Sequence, residues 1–269
     1  MGAADLGFAF AFAFAAAAAL SSFACSYTTD DTPYPGTCAR LQPVKTVPLP
    51  NSTEVPTDVT FRITFNDLPD PDTVRSGTIL LTTGYFWVPG TYGVDLIDKA
   101  AFMRPIRPLV PKLGYSLHLR PALGSLAGCP GSSEDIEFIS GEGGAGVPPP
   151  EPAPFASVQG IFGARCGGAG CHLAADDASS CLPAPAAGLS LCASEAWDSL
   201  VSVPSRQDSS LRRVEPGDSA RSYLLRKVLP SPTGGPITGV AGQREPPGDP
   251  LPEDQLRIIA SWIDGGAVR

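Results

Sequence analysis

Asp58-Val59-Thr60-Phe61-Arg62-Ile63-Thr64-Phe65 alternates without a break, with Val59, Phe61, Ile63 and Phe65 on one face and Thr60, Arg62 and Thr64 on the other. Successive side chains of extended backbone point to opposite faces, so a period of two marks a half-buried strand. The turn-rich run NDLPDPD at 66–72 ends it, and SGTILLTTG then predicts a second strand over 77–83. Shorter runs predict strands near 93–97, 115–119 and 135–139. Short strands punctuated by Pro and Gly turns predict an antiparallel β-sandwich over residues 39–140.

Composition sets the outer limits. The 269 residues include 29 glycines and 30 prolines, nearly twice the usual combined share of about 12%. Long uninterrupted helices are excluded, and the length suits two small domains. With 19 basic against 27 acidic residues and a net charge of -8, the surface repels phosphate backbones, which excludes nucleic acid as a partner. No catalytic triad, paired acid and base or phosphate loop stands in the chain.

Residues 7–24 carry no charge and are mostly Ala and Phe, a length that suits a secretory signal core or a short membrane span. Ser21-Ser22-Phe23-Ala24-Cys25 follows and resembles a bacterial lipoprotein signal, in which cleavage precedes the cysteine and its thiol carries lipid. The resemblance implies a signal segment at 1–25 and lipidation of Cys25. Phe23 is bulky for its position, and the only charge before Cys25 is Asp5, so the basic leader of such signals is missing. An uncleaved anchor helix and ordinary cleavage near Ala24 remain open. All three readings export the rest of the chain, held to the membrane by an N-terminal lipid or anchor, as a periplasm-facing or outer-membrane protein of the cell envelope.

Within 39–140, Val55-Pro56-Thr57-Asp58-Val59, Pro71-Asp72-Thr73-Val74, Gly77-Thr78-Ile79 and Leu113-Gly114-Tyr115 resemble the bacterial Ig-like domains of extracellular proteins. The resemblance implies an all-β Ig-like sandwich serving as spacer or adhesive platform. His118 shares a strand face with Ser116 and Arg120, which makes it a solvated strand position rather than a metal ligand. Residues 141–154, GEGGAGVPPPEPAP, read as a linker, flexible in its Gly half and extended in its Pro half. Gly141, Gly143 and Gly146 satisfy G-x-G-x-x-G, but Val147-Pro148-Pro149-Pro150 forbids the helix a dinucleotide loop requires.

Residues 155–269 form the second expected domain. Phe155, Val158, Ile161 and Phe162 make a helical stripe that runs into Cys166-Gly167-Gly168-Ala169-Gly170-Cys171-His172, a C-x4-C-H motif. A c-type haem is held by two thioethers with the following histidine under the iron, at the usual spacing C-x-x-C-H. A Cys166–Cys171 disulfide and a zinc site are the competing readings of the same residues. The flanking segments Ala187-Gly188-Leu189-Ser190-Leu191, Val214-Glu215-Pro216-Gly217, Ser222 to Lys227, Pro246-Pro247-Gly248 and LPEDQLRIIASWIDGGA at 251–267 resemble the cytochrome c-like domains of bacterial exported proteins. That resemblance implies a mainly-α domain with one covalent haem c on Cys166 and Cys171 and His172 as proximal iron ligand. The family's methionine, its sixth ligand, is replaced here by Glu245, so the sixth ligand is unknown. Arg212 and Arg213 are expected on the solvated surface.

With Cys25 assigned to lipid and Cys166 and Cys171 to the motif, Cys38, Cys129, Cys181 and Cys192 remain as disulfide candidates with three connectivities. Pairing Cys38 with Cys129 and Cys181 with Cys192 keeps each bridge inside one proposed domain. The expected whole is a multidomain protein with an Ig-like sandwich and a cytochrome c-like domain. It would act as a non-enzymatic electron carrier of the envelope, served by redox partner proteins the sequence does not identify. The alternatives are a haem-free surface module with a structural or binding role, and a five-coordinate haem acting as peroxidase or gas sensor.

Overall fold

The computed structural model describes residues 38–146, 148, 150–166, 172, 181 and 185–269; Cys25 and Cys171 lie outside them. Nine strands fill the first half: β1 Pro43–Val47, β2 Ser52–Val55, β3 Phe61–Phe65, β4 Ile79–Thr83, β5 Phe86–Val88, β6 Gly90–Asp95, β7 Ala100–Pro105, β8 Gly114–Leu119 and β9 Glu134–Ser140. They pair into a four-stranded sheet, β1-β3-β7-β6, and a five-stranded sheet, β2-β9-β8-β4-β5. Every pairing is antiparallel except β2 with β9.

The alternating strand β3 shows why the sheets stack. Phe61, Ile63 and Phe65 are buried while Arg62 and Thr64 are half-exposed, so one face of β3 is apolar and needs a cover. Ile79 and Leu81 of β4, Leu117 and Leu119 of β8 and Phe138 of β9 supply it from the other sheet, and the Phe61 and Phe138 rings lie 5.2 Å apart. A disulfide joins Cys38, before β1, to Cys129, before β9, with Cα atoms 5.8 Å apart.

The second half contains α1 Phe155–Arg165, α2 Ala196–Leu200, α3 Tyr223–Val228 and α4 Glu253–Asp264, with a 3-10 turn at Ala186–Gly188. Val158, Ile161 and Phe162 of α1 and Leu256, Ile259, Trp262 and Ile263 of α4 are buried, and the two helices pack together, with the Phe155 and Trp262 rings 5.2 Å apart. A second disulfide joins Cys181 to Cys192.

The mainly-α cytochrome c-like domain expected over 155–269 is not what the chain builds. Among the described residues its four helices are 11, 5, 6 and 12 residues long, and the described residues taken together are mainly β-sheet. The cause is local. Between α3 and α4 stand Pro230, Pro232, Pro236, Pro246, Pro247, Pro250 and Pro252, with Gly234, Gly235, Gly239, Gly242 and Gly248 among them. Proline lacks the N–H that a helix interior needs, and glycine loses the most backbone entropy there. Asp218 accepts from the Arg221 N–H and its guanidinium, and α3 begins only at Tyr223.

The sheets and the helical part belong to one compact unit. Asp98, after β6, accepts from Arg62 of β3 and Arg257 of α4, each at 2.5 Å. Arg221 donates to Asp72 at 3.1 Å and to the Pro71 carbonyl at 2.8 Å. Burial pushes the Asp98 carboxyl up, but hydrogen bonds and charge from Arg257 and Arg62 outweigh it and hold it below the usual carboxylate range. A carboxyl depressed in the folded state contributes its stability above its unfolded value of about 3.9 and loses it as pH falls through the folded value. Asp98→Asn is therefore expected to lower stability at neutral pH and to flatten the acid side of the stability–pH curve below about pH 4. Urea titrations across pH read both effects.

Candidate functional site

A surface hollow of about 520 Å³ beside β2 is a poor candidate. Of its two acids, Glu54 is paired with Lys112 at 2.7 Å, and Asp58 accepts the backbone N–H groups of Ala145 at 2.7 Å and Gly146 at 3.0 Å, which hold its carboxyl below the usual range. The Gly half of the 141–154 segment is thereby pinned to the sandwich.

A cavity of about 280 Å³ in the helical half is different in character. Leu189, Leu191, Leu200, Leu224 and Val228 give it an apolar wall, while Arg206, Arg213, Lys227, Tyr223, Glu245 and His172 bring polar groups to the same space. An apolar hollow with a few convergent polar groups is the usual form of a small-ligand site.

Each of these groups is set by a separate segment. Arg213 is 9% exposed and donates to the carbonyls of Ser199 at 2.8 Å, Gly188 at 3.1 Å and Ala187 at 3.3 Å. The expectation of a solvated pair at 212 and 213 thus holds for Arg212, which is exposed and reaches Glu215 at 3.3 Å, and fails for Arg213. Burial and then the neighbouring Arg206 guanidinium lower the proton affinity of Arg213. Arg206 lies across Gly188, whose φ of +61° and missing Cβ leave room for the guanidinium. Lys227 of α3 donates to the Ala241 carbonyl at 2.8 Å, and burial pulls its pKa down, with Glu245 opposing. The Tyr223 hydroxyl accepts the Ala241 N–H at 3.2 Å, and burial raises its pKa.

His172 also lines this cavity, its Nδ1–H donating to the Leu189 carbonyl at 3.0 Å, which leaves Nε2 as the acceptor. Cys166 lines the same wall. Glu245 stands on the lining as well, its backbone N–H bonded to the Lys227 carbonyl at 2.9 Å.

The covalent haem c expected on Cys166, Cys171 and His172 does not fit this arrangement. The volume of about 280 Å³ lies at the small end of the roughly 300–1,000 Å³ typical of ligand sites, too little for a porphyrin with its substituents. The helical shell such a domain would supply is replaced by Pro- and Gly-rich coil. No group of three or more His, Cys, Asp or Glu side chains able to hold a metal ion occurs among the described residues. The electron-carrier and iron-binding expectations fall with the haem.

His118 stands on the outward face of β8 with Ser116, as expected, and makes side-chain contacts there. Its Nδ1 lies 2.6 Å from Asp135 Oδ1 and its Nε2 lies 3.0 Å from Thr82 Oγ1, a polar network across β4, β8 and β9. The sequence gives no sign of this, since the partners lie 17 and 36 residues away. Arg206 and Lys227 were equally illegible as site residues, because only the turns between segments bring them to one cavity.

No helix among the described residues is long and apolar enough to cross a membrane. The two disulfides fit a protein that folds in an oxidising compartment, extracellular or periplasmic.

No protein-family model matches the chain, and no curated protein matches it. Neither family resemblance drawn from the sequence is carried further. Among solved structures, PcoC, a methionine-rich copper resistance protein from Escherichia coli, is similar at 17% identity, with a TM-score of 0.33, over 38% of this chain and 99% of that one. CopC from Methylosinus trichosporium OB3b is similar at 13% identity, with a TM-score of 0.29, over 38% of this chain and 94% of that one. The N-terminal part of the bacterial S-layer protein SbsC is similar at 15% identity, with a TM-score of 0.31, over 38% of this chain and 24% of that one.

Proposed function

We propose that this protein is an exported, non-haem binding module of the cell envelope whose helical half holds a small ligand. The sandwich serves as its spacer or platform, and a lipid on Cys25, or an N-terminal anchor, keeps it at the membrane. The observation that carries the reading is the cavity of about 280 Å³, apolar along Leu189, Leu191, Leu200, Leu224 and Val228 and polar at Arg213 and Tyr223. Burying apolar ligand surface there gains roughly 25 cal/mol for each Å² removed from water.

Calorimetric titration with the small neutral ligand 1-octanol tests it. Saturable heat at one site is expected, and Leu224→Trp and Leu189→Trp, which fill the cavity, are expected to abolish it while the far-UV spectrum is retained. Two variants guard against one misfolding. Heat that does not saturate, or saturation that survives both substitutions in folded protein, contradicts a ligand cavity at this place.

A further inference from the structure

Arg213 is nine-tenths buried, yet no carboxylate among the described residues lies within ion-pair distance of it, of Arg206 or of Lys227. Its Nη atoms are satisfied only by neutral carbonyls. A buried cation without a counter-charge is costly, and a second guanidinium beside it adds repulsion. The arrangement occurs in a chain whose net charge is -8, so the cations are gathered against the overall composition. Arg213 and Arg206 therefore present a site for an anion, and a planar guanidinium matches a carboxylate group in geometry as well as charge.

The apolar side of the wall fixes what the anion must carry. Leu189, Leu191, Leu200, Leu224 and Val228 offer no polar partner, so the part of the ligand laid along them is hydrocarbon, while His172, Ser205, Gln207, Tyr223 and Lys227 line the cavity elsewhere. A water takes about 30 Å³ of liquid, and a methylene takes a similar volume, so the cavity of about 280 Å³ accommodates a molecule of roughly nine heavy atoms. Glu245 on the lining disfavours a second carboxylate in the ligand.

We propose that the occupant is a medium-chain aliphatic monocarboxylate, its head group held by Arg213 and Arg206 and its chain laid along the leucine wall. This rests on the cavity being a ligand site and adds the class of ligand. Octanoate and 1-octanol, which share a chain and differ in charge, separate the two ideas in calorimetric titrations of the exported, disulfide-intact protein. Octanoate is expected to bind at least tenfold more tightly than octanol at pH 7. Arg213→Gln is expected to bring octanoate to the level that octanol shows in the same variant. Arg206→Gln, at an exposed position that threatens folding less, is expected to weaken octanoate severalfold. Equal binding of acid and alcohol, or octanoate affinity unchanged in folded Arg213→Gln and Arg206→Gln, overturns the assignment while leaving the cavity reading intact. Failure of both probes to bind overturns both.

Discussion

Replacing Cys38 and Cys129 together by serine is expected to cost about 4.5 kcal/mol of unfolding free energy on the chain-entropy account. The bridge spans 91 residues, so without it the unfolded chain gains the freedom of a loop containing nearly the whole sandwich. The native contacts around it amplify the consequence. Leu41 is 1% exposed, donates its N–H to the Pro130 carbonyl and accepts from the Ser132 N–H, each at 3.0 Å, so β1 is tied into place through the same loop that carries Cys129. The Cys181–Cys192 bridge spans only 11 residues, and its loss is expected to cost about 3 kcal/mol on the same account. Guanidinium denaturation of the two double-serine variants checks the order. A cost for the long bridge below that for the short one contradicts the account.

Trp262→Ala is expected to destabilise by about 3–5 kcal/mol, the range for emptying a large buried aromatic position. The indole is 1% exposed, packs on Phe155 at a centroid distance of 5.2 Å and donates its Nε1–H to the Val268 carbonyl at 2.8 Å. Truncation opens a cavity between α1 and α4 and orphans a carbonyl of the terminal segment. That segment has a second anchor, the Trp197 Nε1–H donating to the Ala267 carbonyl at 2.8 Å. Trp262→Phe keeps most of the packing and loses the hydrogen bond, and is expected to cost about 1–2 kcal/mol. Thermal and urea unfolding give both values. A cost under 1 kcal/mol for the alanine variant would show that α1 and α4 are not joined through this residue.

What the sequence showed and what it hid follow from the same physics. β3 was legible because its alternation is unbroken, and β4, β8 and β9 lie where their short apolar runs placed them. β1 and β2 were missed because Pro43, Pro48 and Pro50 and a mostly polar composition conceal strands that sit at sheet edges. β7 escaped because Ala100, Ala101 and Met103 bury small or flexible side chains without strong strand propensity. In the second half, α1 and α4 carry clear stripes and stand where those stripes are. The mainly-α expectation overrode what seven prolines between α3 and α4 already forbade.

The site was hidden for a different reason. A cavity is made by turns between distant segments, and nothing local marks Arg213 as buried while its neighbour Arg212 is exposed. Its carbonyl partners at Ala187, Gly188 and Ser199 lie 26, 25 and 14 residues away. No periodicity registers such a pairing. The C-x4-C-H motif drew the reading toward iron, and the volume available beside His172 turns it toward a smaller molecule.

The most direct test of a non-haem ligand site in the helical half is the intact mass and visible spectrum of the exported protein, produced together with haem-attachment machinery. The prediction is a polypeptide mass changed only by N-terminal processing or lipid and by disulfide formation, with no visible absorption band. Added mass of a porphyrin on the peptide containing Cys166 and Cys171, with a Soret band, would contradict it.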